Sequence, residues 1–321
     1  MISLKILIVR LTALGDTIHT VPALCALRKD YPQARIHWVV DRKCHEILKN
    51  HPDLDKLHIL DPSPSGFRRM IAELRRERFD IAIDFQGLLK SAVLAGFSGA
   101  PRRLGRSSFM CREPLAALFT NERIHPRERH IILQNLELLR LVGIQTRETD
   151  YRLALPSVEL PSVFSRSPVG IHVGGSWPTK KYPAEKFGLV ARKITEEIGL
   201  PVLVFHGPGE EEEVRTVCRL APAAEPAPPL SFMEMAGFFA RCAAVVSSET
   251  GPMHLAVAVG APVVCLIGVT DPLRNGPLSP KARAVLPPPP HQWTYRRTGE
   301  NPTRLIAVDN VIRALLSVLE E

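Results

Sequence analysis

A chain of 321 residues, 45% of them hydrophobic and 23% charged, is long enough for two globular domains with a core in each. Its formal net charge of +8 favours an anionic ligand or surface, although solubility alone accounts for it equally well. No stretch approaches the roughly 20 apolar residues of a membrane-spanning helix, the N-terminal apolar run is too short for a signal peptide, and the six cysteines form no zinc or disulfide pattern. We therefore expect a reducing, cytoplasmic location, with peripheral attachment to a membrane left open.

Strands and helices alternate through the first half of the chain, and this order predicts βαβ units and a parallel sheet. Apolar runs typical of buried strands occupy residues 5–9, 36–40, 57–60 and 81–84. Helical patterns occupy residues 17–29, 44–49 and 67–77. Arginines recur throughout this half, which favours a basic surface on one domain.

The alternation begins again after residue 168, beyond a segment that contains several prolines and serines. Predicted strands are residues 169–173, 202–205, 244–247 and 263–267, and predicted helices are residues 184–198, 210–220, 232–241 and 253–259. We therefore expect two doubly wound α/β domains, residues 1–156 and 169–302, joined by a linker over 157–168 and facing across a cleft. Residues 303–321 form an amphipathic helical segment with Asp309 as its N-cap, which we expect to pack back on the N-terminal domain.

Two loops that follow predicted strands carry the first candidate residues. Asp16 follows the first strand and a glycine, so it is either a helix N-cap or a carboxylate at the floor of the cleft. In the loop that starts at residue 174, Gly175 would let backbone amides approach an anion, and Ser176 and Lys180 could contact phosphate oxygens. The spacing is not that of a P-loop, so a solvated turn is the alternative there.

Two further loops lie in the second half. Glu210 follows two glycines, so it either caps the next helix through the helix dipole or accepts hydrogen bonds from ribose hydroxyls. Thr250, Gly251 and His254 join a strand to a helix N-terminus, an arrangement that can bind a diphosphate. A structural histidine is the alternative for His254.

Taken together, these residues resemble the family 9 glycosyltransferases, the ADP-heptose:lipopolysaccharide heptosyltransferases. The resemblance runs in order through nearly the whole chain. It is carried by RLTALGDTIHTVPAL (10–24), FDIAIDFQGLLKSA (79–92), GSWPTKKYP (175–183), GPGEEE (207–212) and SSETGPMHLAVAVGAPVVCLIGVTDP (247–272). The segment REPLAALF (112–119) resembles the type I enzymes more than the type II enzymes.

The resemblance implies a GT-B fold of two Rossmann-like domains and an inverting reaction that needs no cofactor and no essential metal. The implied donor is ADP-L-glycero-D-manno-heptose, bound by residues 169–302. The implied acceptor is Kdo-lipid A at the inner leaflet of the inner membrane, bound by residues 1–156. The protein would then be cytoplasmic, with a transient contact to the membrane surface.

The resemblance also implies roles for individual residues, with Asp16 as the catalytic base and Lys180 as a second catalytic residue. Those assigned to the donor are Gly175, Ser176, Glu210, Leu230, Glu249, Thr250, Gly251 and His254. Those assigned to the anionic acceptor are Arg112, Lys90, Arg68 and Arg69, with a solvated basic face as the alternative for the last three. Glu249 stands where the family commonly has Asp, and its extra methylene would move the carboxylate.

Four other functions are weighed against this one. Another sugar or acceptor within the same family is the first, and a nucleotide-sugar binding protein without catalysis is the second. Retention of Asp16 and Lys180 argues against the second. Nucleic-acid binding is not expected, because aromatic residues make up only 6% of the chain and no RNA- or DNA-binding motif is present. A dehydrogenase would need a dinucleotide fingerprint, which the sequence lacks.

Overall fold

The computed structural model describes residues 4–175 and 177–320, so the predicted donor residue Ser176 lies outside the described residues. The chain divides into two compact units, Met1–Ala154 and Leu155–Glu321. Residues 157–168, predicted as a linker, contain neither helix nor strand and belong to the second unit. No helix of the described residues combines the length and the apolar character needed to cross a bilayer.

The first unit is a six-stranded parallel sheet with helices between its strands. Its strands are β1 (Lys5–Val9), β2 (Arg35–Asp41), β3 (Lys56–Leu60), β4 (Ile81–Asp84), β5 (Arg102–Arg106) and β6 (Glu122–Ile124). Its α-helices are α1 (Leu14–Ile18), α2 (Val21–Asp30), α3 (Pro64–Glu77), α4 (Leu89–Phe97) and α5 (Ile131–Leu138). Its 3₁₀ turns are Arg42–Leu48, Ser108–Met110, Pro114–Phe119 and Leu139–Val142.

The second unit repeats this plan. Its strands are β7 (Val169–His172), β8 (Val202–Phe205), β9 (Ala224–Pro226), β10 (Ala244–Ser248), β11 (Val263–Leu266) and β12 (Ala282–Val285). Its α-helices are α6 (Ala184–Lys193), α7 (Glu211–Leu220), α8 (Phe232–Phe239), α9 (Gly251–Ala258), α10 (Pro272–Asn275) and α11 (Val308–Leu319). A π-helical turn, Ile194–Ile198, extends α6, and the 3₁₀ turns are Pro178–Lys180 and Pro302–Leu305.

The order of the strands positions the candidate loops. The first sheet runs β3-β2-β1-β4-β5-β6, and the second runs β12-β11-β10-β7-β8-β9, which is the same doubly wound order seen from the other edge. The order reverses between β1 and β4 and again between β7 and β10, and ligands of such sheets bind outside the carboxyl ends of the strands at these points. The loops with Asp16, Gly175 and Thr250 each follow one of these four strands.

Buried apolar strands explain why these sheets form. Ile6, Leu7, Ile8 and Val9 of β1 have no exposed surface, because helices cover both faces of the sheet. The strand β10 is equally buried along its whole length. Every pairing between neighbouring strands is parallel, so all six carboxyl ends of each sheet lie along one edge.

Two expectations about the C-terminal segment are wrong. The N-cap of α11 is Ala307, and Asp309 lies within the first turn of the helix, 3.3 Å from the ammonium of Lys193. The apolar face of α11 completes the core of the second unit and not, as predicted, that of the first. The predicted helix 17–29 is divided into α1 and α2, because α2 begins anew with Pro22 in its first turn.

Candidate functional site

The loops after β7 and β10 touch each other at the switch point of the second unit. The backbone N–H of Tyr182 donates to Ser248 Oγ at 3.2 Å. A Cβ placed on Gly175 would lie 3.3 Å from Cγ2 of Thr250, so the two loops pack closely at this point. The structure therefore brings the predicted glycine loop and the predicted diphosphate loop together.

A buried carboxylate joins these loops. Lys180, on the 3₁₀ turn after β7, forms an ion pair and hydrogen bond with Glu249 at the end of β10. Glu249 also accepts a hydrogen bond from Thr270 Oγ1 at 2.7 Å, and its other oxygen lies 3.3 Å from His254 Nε2. The Lys180 ammonium stands 4.6 Å from the centroid of the Trp177 ring, in cation–π contact.

Glu249 is charged at neutral pH despite its burial. Desolvation alone would raise the pKa of this carboxyl group, but the His254 hydrogen bond and the Lys180 charge together outweigh it, so the pKa lies below its ordinary value. The predicted donor residues Glu249 and His254 and the predicted catalytic Lys180 thus form one cluster. In this cluster the Lys180 charge is neutralised by Glu249.

The N-terminus of α9 offers backbone donors beside this cluster. Thr250 occupies the N-cap position and Gly251 the first helical position. The Thr250 hydroxyl donates to the carbonyl of Ser248 at 3.2 Å and makes no capping hydrogen bond to α9. Pro252 in the first turn has no N–H, and the remaining amides of that turn, together with the helix dipole, would favour an anionic ligand.

Glu210 clamps two glycine loops. Its Oε1 accepts from the backbone N–H of Gly175 at 2.9 Å, and its Oε2 accepts from the N–H of Gly207 at 2.8 Å. Burial would raise the pKa of Glu210, but these two amides, with His172 and Lys181 nearby, lower it overall. The carboxylate thus shapes the loop after β7, and its contact with a ribose stays a prediction.

A neutral histidine lies beneath this clamp. His172 ends β7 and is almost fully buried, and desolvation is the largest cause that lowers its pKa to about 4. The negative charge of Glu210 opposes this shift, whereas the charges of His206 and Lys181 reinforce it. His172 was not predicted as a site residue. The apolar run that contains it indicates a strand but does not show that the histidine at its end is buried.

Leu230 stands apart from these contacts. It is half-buried in the irregular segment between β9 and α8, next to Ser231, which is the N-cap of α8. Its donor-binding role stays a prediction.

Asp16 lies at the switch point of the first unit. It occupies the third position of α1, so Ala13 and not Asp16 is the N-cap. Its carboxylate accepts from the Ala13 N–H at 3.3 Å and pairs with the guanidinium of Arg10 at 2.9 Å. His19 Nδ1 lies 4.0 Å away on the next turn. With 39% of its side chain exposed, the carboxylate is both anchored and accessible.

Two buried arginines, neither of them predicted as a site residue, belong to the hydrogen-bond network around Asp16. Arg10 and Arg106 each donate to the carbonyl of Phe85, at 2.7 and 2.8 Å. Arg106 also donates to Asn135 Oδ1 at 2.5 Å, and the Asn135 amide donates to the carbonyl of His19 at 2.9 Å. Arg10 directly follows β1 and Arg106 ends β5, and this placement is the signal that could have identified them. This network fixes the guanidinium that faces Asp16.

The predicted acceptor residues lie along the carboxyl edge of the first sheet in two groups. Lys90 is in the first turn of α4 and Arg112 precedes the 3₁₀ turn Pro114–Phe119, and the two stretches meet where the Leu89 N–H donates to Glu113 Oε2 at 2.6 Å. Arg68 and Arg69 lie on α3, after β3. The strand β3 is three strands from β4, which places the two strands about 14 Å apart at ordinary strand spacing.

All four acceptor candidates are exposed. Arg69 pairs with Asp61 at 2.8 Å, with both side chains largely in solvent, which is a weak interaction. Such a side chain can exchange its partner for a ligand at little cost.

A family model described as glycosyltransferase family 9 (heptosyltransferase) matches residues 67–302. The chain belongs to this family. Among family relatives, lipopolysaccharide heptosyltransferase 1 of Campylobacter coli is 30% identical over 301 residues, covering 85% of this chain and 86% of the relative. The chain is thus a glycosyltransferase, as the sequence resemblance predicted.

Solved structures of family 9 members share the fold. A family 9 glycosyltransferase from Veillonella parvula superposes with a TM-score of 0.84 at 23% identity, covering 100% of this chain and 98% of the other. The E. coli heptosyltransferase WaaC with ADP gives a TM-score of 0.82 at 22% identity, covering 98% of this chain and all of the other. The predicted GT-B class, with two Rossmann-like domains, is confirmed.

Two groups of described residues have the composition of metal ligands, and neither contains a candidate site residue. In the first, Cys25, His51 and Asp53, both ring nitrogens of His51 are already engaged by backbone groups of Tyr151 and Asp53, at 2.8 and 3.2 Å. The second is His37, His58 and Glu77, where Glu77 is already paired with Lys56 at 2.7 Å. The expectation that the reaction needs no metal stays a prediction.

Proposed function

We propose that this family 9 glycosyltransferase moves L-glycero-D-manno-heptose from ADP-heptose to Kdo-lipid A, with inversion at the anomeric carbon. Family membership supports the transfer, and the relative from Campylobacter coli, named lipopolysaccharide heptosyltransferase 1, supports the sugar and the type of acceptor. The observation that carries the proposal is the cluster of Lys180, Glu249 and His254 beside the open N-terminus of α9.

The cluster suits a diphosphate leaving group. The first amides of α9 and the dipole of the helix would hold the phosphates of ADP, with Gly251 leaving room for their approach. Lys180 is paired with Glu249 in the structure, and a diphosphate would compete for its ammonium. As the glycosidic bond breaks, negative charge grows on ADP, so an interaction with Lys180 would strengthen in the transition state.

Asp16 is the proposed base. The acceptor hydroxyl attacks the anomeric carbon while the bond from that carbon to the diphosphate oxygen breaks and ADP departs with the bonding electrons. The hydroxyl proton passes to the Asp16 carboxylate as the new bond forms. Arg10 contacts the carboxylate at 2.9 Å and keeps it in place. Inversion follows because attack and departure take place on opposite faces of the sugar.

The acceptor supplies carboxylates and phosphates that match the exposed cations of the first unit. Guanidinium groups bind such anions in a bidentate manner, which favours Arg112, with Arg68 and Arg69 as further contacts and Lys90 as a point charge. A lipid acceptor also implies that the enzyme works in the cytoplasm at the surface of the inner membrane. No cofactor is assigned, since the nucleotide sugar is itself the activated substrate.

The donor assignment is tested by comparing how ADP, UDP, GDP and NAD raise the melting temperature. A ligand at about 100 times its dissociation constant stabilises the folded state by about 2.7 kcal/mol, so ADP should give the largest shift. A larger shift with UDP or GDP would favour another donor within the family. A larger shift with NAD would contradict the assignment to this family of reactions.

A further inference from the structure

The 3₁₀ turn Pro114–Phe119 of the first unit turns an apolar face outward. Leu115 is 61% exposed and Leu118 is 76% exposed, while Ala116 and Ala117 between them are buried. Residues three apart lie side by side on a 3₁₀ helix, so the two leucines project from one face. The small side chains face the core and the large ones face solvent, which folding of the unit does not explain.

Neighbouring side chains extend this face. Phe109, in the 3₁₀ turn Ser108–Met110 that packs against Pro114–Phe119, is 91% exposed. On the other side Phe97 of α4 is 50% exposed, with its ring centroid 6.2 Å from that of Phe119. We refer to Phe97, Phe109, Leu115 and Leu118 as the apolar ridge. Contiguous exposed apolar surface of this kind marks an interaction site.

Cations flank the ridge. Arg112 lies in the sequence between Phe109 and Leu115, and Lys90 is brought to the same place by the Leu89–Glu113 hydrogen bond of 2.6 Å. At the far end, Arg103 donates to the carbonyl of Phe119 at 3.2 Å. Glu113 is the one acidic residue in the sequence from 103 to 119, and its carboxylate accepts from the amide of Leu89.

We propose that the apolar ridge inserts into the headgroup layer of an anionic phospholipid bilayer. Exposed apolar side chains flanked by Lys and Arg are complementary to a bilayer, in which lipid phosphates lie above the acyl chains. Membrane binding of this type increases with the buried apolar area and with the anionic lipid content. The inference rests on the proposed function, since it is a lipid acceptor that makes residence at the membrane useful. It adds the surface through which the enzyme reaches that lipid.

The test measures sedimentation of the full chain with phosphatidylcholine vesicles, with and without phosphatidylglycerol, in the absence of either substrate. We expect binding to the anionic vesicles only, and weakening of that binding by salt. The double variant Leu115→Ser with Leu118→Ser should partition about tenfold less or weaker still, because it removes several buried methylene equivalents. The matched control, Leu305→Ser with Leu316→Ser, changes leucines that are 59% and 42% exposed in the second unit and should bind as wild type.

Phe109→Ser is a second, independent variant and should also lose binding. The proposal is overturned if wild type does not bind anionic vesicles, if the ridge variants bind as well as wild type, or if the ridge instead mediates a concentration-dependent dimer that the variants abolish. Transfer to a water-soluble acceptor without acyl chains is measured alongside. The ridge variants should retain activity on this soluble acceptor, because the ridge acts only at the membrane. If wild type itself shows no such activity, the result counts against the proposed function and not against the membrane surface.

Discussion

The environment of Asp16 separates a catalytic role from a structural one. Its carboxylate caps the Ala13 amide from within α1 and pairs with Arg10, and an asparagine could keep the hydrogen bond but not the charge. If Asp16 is the base, Asp16→Asn should fold and bind ADP normally while kcat falls on the order of 10²–10⁴-fold. Melting temperature, ADP titration and turnover on this one variant provide the measurement. Turnover near that of wild type would leave Asp16 with a structural role alone.

The buried ion pair of Lys180 and Glu249 leads us to predict effects of a Lys180 substitution on both stability and turnover. Removing Lys180 leaves a carboxylate buried without its cation, so Lys180→Ala should lower the free energy of unfolding by about 3 kcal/mol. It should also lower kcat more than it raises KM, because the lysine acts mainly as ADP departs. The double variant Lys180→Met with Glu249→Gln should recover most of the stability but not the turnover. Denaturant unfolding and steady-state kinetics distinguish the two effects, and a Lys180→Ala enzyme with unchanged constants would remove Lys180 from the site.

Individual site residues could be identified from the sequence, but their partners could not. Asp16 and Lys180 lie in loops with recognisable neighbours. The pairing of Lys180 with Glu249 joins residues 69 positions apart, and the support of Asp16 by Arg106 passes through a shared carbonyl. Such contacts depend on strand order and register, which a single sequence does not specify.

At the scale of secondary-structure elements, the clamp formed by Glu210 is the feature most open to test. A Cβ on Gly174 would lie 1.8 Å from Glu210 Oε2, so Gly174→Ala must displace the carboxylate from its two amides and should cost about 2–4 kcal/mol. Gly175→Ala is the matched control, because its nearest neighbour, Thr250 Cγ2, would be 3.3 Å away. Denaturant unfolding compares the two variants.

A double-variant cycle links that cost to the carboxylate. In a Glu210→Ala background, Gly174→Ala should cost little, since the clash and the clamp are both already absent. If Gly174→Ala lowers the free energy of unfolding equally in the two backgrounds, the absence of a side chain at position 174 is not needed to make room for the Glu210 carboxylate.

Strands with apolar runs could be predicted far better than short or polar strands. Apolar runs predicted β1, β4, β7 and β10 to within a residue. The edge strands β6 and β9 are three residues long and largely solvent-facing, and β5 begins with two arginines, so none has an apolar run. The sheet against which α11 packs could not be predicted either, because an amphipathic pattern indicates that a helix is half-buried but not which sheet it covers.

At the scale of the whole molecule, buried neutral histidines make stability depend on pH. The pKa of His172 is lowered to about 4 in the folded state, while the unfolded chain binds the same proton near about 6.5. The unfolded state therefore holds more protons between these values, so stability is full above about pH 7 and falls as pH drops towards 4. Between pH 7 and pH 5 this histidine should cost about 2 kcal/mol.

His172→Leu removes this titrating group. Between pH 7 and pH 5, the free energy of unfolding of the variant should therefore fall by about 2 kcal/mol less than that of wild type. His37, whose pKa is likewise lowered to about 4 by burial first of all, remains in both proteins and keeps a residual slope. Glu210 and Glu249 have lowered pKa values, so their contributions are lost only at lower pH. Denaturant unfolding at the two pH values gives the result, and identical slopes for the variant and wild type would contradict a buried neutral His172.

Heptosyl transfer is tested by incubating the enzyme with ADP-heptose and Kdo-lipid A and following both products. We expect the acceptor to gain the mass of one heptosyl residue, ADP to appear in equal amount, and the new linkage to have the inverted anomeric configuration. Asp16→Asn should form neither product at a comparable rate. ADP released without any gain in acceptor mass, or a linkage with retained configuration, would contradict the proposed transfer.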